Sequence, residues 1–190
     1  EYHLQRLLRV PHLFVGGSGR LFNETYAMPL DGASSWSRLV NQHVDGACAV
    51  QRISGEALAT GGVGHYCSLF SPRSGDWSPG PQLPRKRFSH CAAQLRSASL
   101  VCGGLGGDSP DSSSFLLRED CTEWAVAASM TYVRVDAGAA LADSSAERVL
   151  IAGGQEGDIS CSLLDSCELY DAADDRWTVH EARLPHPMRC

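Results

Sequence analysis

The chain has 190 residues, of which 43% are apolar and 7% aromatic, with 19 Gly and 9 Pro; this suits one sizeable domain of many short segments joined by turns. Its net charge of −6 is spread along the sequence, which excludes a broad basic surface able to neutralise phosphates, so nucleic acid is not an expected partner. No run approaches the roughly 20 consecutive apolar residues that a membrane-crossing helix needs, a membrane partner is not expected, and residues 1–10 show no signal-peptide core.

In chain order, a short apolar run ending in Gly-Gly recurs four times. The first unit places Leu13, Phe14 and Val15 before Gly16 and Gly17 and then reaches Trp36. It is irregular, because Tyr26 lies ten positions before that Trp and Pro29 stands seven before it. The second unit opens on a small-residue segment, residues 45–50, then runs from Ala57 to Gly61 and Gly62, on to Phe70 and Trp77. In the third, residues 88–93 lead to Leu100, Val101, Cys102, Gly103 and Gly104, followed by Leu117 and Trp124. The fourth passes from residues 135–141 to Ile151, Ala152, Gly153 and Gly154, then to Tyr170 and Trp177. The first glycines stand at 16, 61, 103 and 153, and all 4 Trp fall on the repeat. The resulting division is 1–40, 41–83, 84–130 and 131–184, with 185–190 opening a further repeat.

Each unit reads as four short strands: one of small residues, one ending in Gly-Gly, one ending at Tyr, Phe or Leu, and one carrying Trp. Every segment has strand length and falls short of a typical helix. Turn residues separate them, as at residues 73–76 and 173–176. With Arg96 and Ser97 as a turn, Leu95 faces Ala98, Ala93 faces Leu100 and Cys91 faces Cys102. A single sheet of this size cannot bury both faces, so neighbouring sheets must stack. Paired glycines permit positive φ and close backbone approach, and the aromatic residues supply area between sheets. Radial stacking of such units gives an all-β propeller.

The order apolar run, Gly-Gly, Tyr or Phe, Trp, with Pro-Arg opening the next unit, resembles the Kelch repeat from about Leu7 to Arg189. The resemblance implies a Kelch-type β-propeller of about four antiparallel four-stranded blades. Four blades are few for that family, and Leu184-Pro185-His186-Pro187-Met188-Arg189 resembles the lead-in Leu83-Pro84-Arg85-Lys86-Arg87. An incomplete propeller is therefore expected, a fragment whose open arc should unfold or aggregate readily in isolation.

Catalytic signatures are sought without result. The 7 His are scattered without ligand spacing, and His90 reads as a packing or hydrogen-bonding residue. No G-x-S-x-G elbow, phosphate loop or dinucleotide fingerprint occurs. The two Tyr and two His of a copper radical oxidase cannot be assembled. Catalytic, metal and cofactor residues are accordingly assigned to none. The 8 Cys could form disulfides in a secreted protein, yet most lie in apolar segments and none forms C-x-x-C. Buried reduced thiols in an intracellular, cytoplasmic chain are the expectation.

In the Kelch family the loops into strand one and between strands two and three share the binding face. Here these are residues 41–45, 85–88, 131–133 and 187–189, with 18–24, 63–66, 105–114 and 155–160. Within them, Arg85, Lys86 and Arg87 concentrate positive charge and resemble positions that contact acidic peptides, where Arg can grip a carboxylate with two hydrogen bonds. Bracing of the blade by Arg85 or Arg87 is the competing role. His65, Tyr66, Ser18, Gln155 and Arg189 complete the expected contact set. The expected function is a non-catalytic protein-interaction scaffold, with ubiquitin-ligase substrate recognition or actin binding as family roles. A propeller enzyme of the copper oxidase or sugar isomerase type is the alternative.

Overall fold

The computed structural model describes residues 46–62, 64–107, 109–157 and 162–189, together with the backbone placement of three earlier strands. Those three, β1 (His12–Val15), β2 (Glu24–Met28) and β3 (Ser37–Val40), pair antiparallel in chain order. Gly16, Gly17, Ser18 and Trp36 lie outside the described residues.

Three four-stranded antiparallel sheets follow. The first contains β4 (Ala47–Gln51), β5 (Ala57–Gly61), β6 (Cys67–Ser71) and β7 (Asp76–Pro79). The second contains β8 (Cys91–Gln94), β9 (Ala98–Cys102), β10 (Ser114–Arg118) and β11 (Ala125–Ala127). The third contains β12 (Gly138–Leu141), β13 (Arg148–Ala152), β14 (Ser166–Asp171) and β15 (Arg176–Arg183). Each sheet is a meander, and its first strand lies against the first strand of the next: β1 by β4, β4 by β8, β8 by β12. The arrangement is an incomplete propeller whose small-residue strands are innermost, as their lack of bulk requires.

Aromatic pairs form where the seven-residue spacing places them. Phe70 stands opposite Trp77, with ring centroids 5.3 Å apart. Tyr170 stands opposite Trp177 at 5.0 Å. Between the second and third sheets, Ala93, Leu100 and Cys102 pack with Val149, Ile151, Tyr170 and Trp177. Between the first and second, Leu58, Cys67 and Leu83 pack with Val101, Phe115, Leu117 and Trp124. The indole N–H groups also tie sheets together. Trp124 donates to the Pro81 carbonyl at 2.8 Å, and Trp177 to that of Ala128 at 3.0 Å. Burying a Trp stabilises most when its polar handle finds such a partner.

The Gly-Gly pairs have one shared geometric cause. The N–H of Gly62 donates to the Arg87 carbonyl, that of Gly104 to Arg134, and that of Gly154 to Met188, at 2.7–2.9 Å. The incoming carbonyl of the following unit thus lands on each of these three pairs. A Cβ on Gly103 would come within 2.6 Å of the Arg134 oxygen, and one on Gly153 within 2.5 Å of the Met188 oxygen. Both glycines also hold φ +69, a left-handed conformation that L side chains rarely adopt.

A second ladder runs around the centre. Ser89 donates its N–H to the Gly46 carbonyl at 2.8 Å, and Asp136 to that of Ser89 at 3.0 Å. All three have positive φ, at 74, 52 and 54. Two thiols follow the same step from blade to blade: Cys48 Sγ donates to the His90 carbonyl and Cys91 Sγ to that of Ala137. His90 joins the same region, its Nε2 lying 2.8 Å from Thr60 Oγ1.

Candidate functional site

Arg87 opens the site, because its position corrects one expectation. Its side chain is fully buried. The guanidinium donates to the Gly103 and Ser113 carbonyls, to Ser113 Oγ and to Asp111 Oδ2, and lies 5.1 Å from the Phe115 ring centre. The enclosed guanidinium, whose Nε–H is buried without a hydrogen bond among the described residues, presents no accessible donor to a ligand. Arg87 braces its blade from within.

The same device recurs one blade on. Arg134, also fully buried, donates to the Gly153 and Ser166 carbonyls and to Ser166 Oγ, each at 2.8 Å. Its Nε lies 3.1 Å from Glu168 Oε1, and that carboxylate is itself fully buried. Glu168 accepts in turn from the backbone N–H groups of Thr131 and Tyr132. Sequence reasoning missed both residues. The signal for Arg134 was its spacing, three residues before Ala137 as Arg87 is three before His90. The signal for Glu168 was a charge set between Cys167 and Leu169 inside a strand.

Around the Arg87 brace the structure gathers several expected contacts. The Leu83 N–H donates to the His65 carbonyl and that of Arg87 to Gly64, which seats the 64–66 loop beside the 83–87 lead-in. Tyr66 is 51% exposed and stacks on His65 with centroids 5.1 Å apart. Its ring covers Gly64, where a Cβ would meet ring carbons at 2.5 Å. Arg85 and Lys86 are exposed. Arg85 keeps 68% of its side chain exposed and lies 3.9 Å from Asp111. Burial acts to raise the Asp111 pKa, but the Ser113 N–H and hydroxyl, with Arg87 and Arg85, hold it below the ordinary carboxylate value.

Gln155 and Arg189 form a separate pair. Gln155 is buried at 5% exposure, and its Oε1 accepts from Arg189 at 2.7 Å. This corrects the expectation for Gln155, whose amide is enclosed. The backbone register also reassigns Arg189. Met188, by the bond from Gly154 to its carbonyl, takes the place that Arg87 and Arg134 hold in their units. Arg189 therefore stands one position beyond the brace.

Cys48, Cys67, Cys91, Cys102, Cys121 and Cys167 are thiols, and of these Cys121 is exposed. Burial pushes the Cys48 and Cys67 thiols up to about 12, which removes thiolate character from both. Among the described residues no group of three or more His, Cys, Asp or Glu side chains is placed to hold a metal ion. The same residues contain no helix long and apolar enough to cross a membrane.

No family model matches the chain. One relative is Kelch-like protein 36 of Bos taurus, 35% identical over 120 residues, covering 60% of this chain and 18% of that protein. The chain thus corresponds to under a fifth of the relative's length. Among solved structures, one titled "Structure of YjhT" superposes with a TM-score of 0.74 at 12% identity, covering 96% of this chain and 67% of that one. At that identity the likeness concerns the fold.

Proposed function

We propose that the chain, whose repeats resemble those of the Kelch family, is a non-catalytic binding scaffold whose protein or peptide partner docks on the lead-in loops. The observation that carries this reading is the division of labour within Arg85-Lys86-Arg87. The buried Arg87 locks the loop to the blade, while Arg85 and Lys86 project from it into solvent. Two exposed cations on a rigid loop, within an acidic chain, suit an acidic segment of a partner. Tyr66, held beside them, adds an amphipathic contact of the type common in binding hot spots. Rigid loops lose little entropy on association, which favours affinity.

Within this reading, substrate recognition for a ubiquitin ligase and cytoskeletal binding are the finer roles we carry forward. Both would use the same face. The test is a fluorescence anisotropy titration with labelled acidic and charge-neutral peptides, on the parent chain and an Arg85→Ala/Lys86→Ala variant. We expect the acidic peptide to bind more tightly, to weaken with salt, and to weaken in the variant while its circular dichroism is unchanged. Equal affinity of parent and variant would refute the proposal.

A further inference from the structure

The lead-in loops of successive blades are in register, and that register identifies a contact position beyond the basic pair. Arg87, Arg134 and Met188 are equivalent, since each carbonyl accepts from the second glycine of the preceding unit. Two residues before them stand Arg85, Tyr132 and His186, and all three are exposed. Where the brace position is an arginine, at Arg87 and Arg134, it is buried, whereas Met188 is 47% exposed; the position two before it is exposed in all three units.

Tyr132 is the aromatic member of this set, and the most firmly supported from beneath. It is 38% exposed. Its backbone N–H and that of Thr131 are fixed at 3.2 and 2.7 Å to the fully buried Glu168 carboxylate. The Arg134 guanidinium, also fully buried, lies 5.7 Å from the centre of its ring. An exposed ring on a backbone clamped by a buried ion pair is pre-organised. Such a side chain adds contact area at small entropic cost.

We infer that Tyr132 is the apolar anchor of the binding face, and that the partner is an acidic segment carrying a bulky apolar or aromatic side chain. The acidic part would meet Arg85 and Lys86, and the apolar part would meet Tyr132 one blade away. This inference rests on the binding reading above and adds a second, uncharged element to it.

The test uses random dodecapeptides displayed on phage and selected on the whole chain. Enriched peptides are then titrated against Tyr132→Ala, Tyr132→Phe, Arg85→Ala/Lys86→Ala and, as a surface control on β11, Val126→Ala. We expect enriched peptides to pair Asp or Glu with Trp, Phe or Leu. Their affinity should fall about tenfold or more in Tyr132→Ala, persist in Tyr132→Phe, and be unchanged in Val126→Ala. Circular dichroism and thermal melting confirm that each variant folds. If affinity follows Arg85 and Lys86 but ignores Tyr132, the anchor is overturned and the binding reading stands. If it follows Tyr132 alone, the anchor stands and the acidic element falls. Peptides indifferent to all of these positions, or a selection yielding none, overturn both.

Discussion

Two neighbouring arginines with the same side chain have opposite fates, and burial decides which is which. Arg85 keeps most of its surface, whereas Arg87 and Arg134 keep none. A buried ion pair is weak evidence of net stability, but breaking one strands a charge. Arg134→Met should therefore destabilise the chain by about 3–5 kcal/mol, with Glu168 left unpaired. Urea denaturation would measure this, and adding Glu168→Leu should restore only part of the loss, because the Thr131 and Tyr132 N–H groups then lose their acceptor. A pH effect belongs to Asp111. Its folded-state pKa is depressed, so its contribution is present above the unfolded value of about 3.9 and is lost as pH falls through the lower folded value. Asp111→Asn should flatten the acid limb of stability against pH in that window. Tracking the urea midpoint across acid pH would reveal it.

At the scale of elements, the seven-residue step from Phe70 to Trp77 and from Tyr170 to Trp177 was legible, because a tight turn between adjacent strands fixes it locally. The Cys91–Cys102 register was legible for the same reason. The Gly-Gly pairs were legible as positions of close approach, but what approaches them was not. The carbonyl on Gly104 comes from Arg134, thirty residues away in sequence. Gly104→Ala would set a Cβ 2.5 Å from the Phe88 oxygen and 2.8 Å from His90, at φ +84. We expect a loss of more than about 1 kcal/mol, read as a lowered melting temperature. Ala59→Gly, in the middle of the equivalent strand of the preceding blade, lacks this clash and should cost less.

For the molecule as a whole, position in the arc outweighs local sequence. The inner strand β8 lies between β4 and β12, and its Ala93 is 8% exposed. Ala140 occupies the matching place on β12, opposite Leu150 as Ala93 is opposite Leu100, yet it is exposed. Two alanines in the same register thus differ because, among the described residues, only Ala93 has a sheet stacked over it. Local openings are set by such packing. Amide hydrogen exchange should be faster in β12 than in β8, and equal protection would contradict the packing described.

The sequence by itself determined the repeat, the four-strand grammar of the last three units and the Trp and Gly positions, because periods of two and seven residues are imposed by strand pleat and tight turns. It also marked the lead-in loops as a common face. It could not say which arginine of the Arg85-Lys86-Arg87 cluster points inward, that Gln155 is enclosed, or that Glu168 fastens the loop bearing Tyr132. Those outcomes depend on contacts between residues 16 to 37 apart. Tertiary structure alone decides them, since the direction of a long polar side chain follows from which buried carbonyls and carboxylates lie within reach once the sheets have stacked.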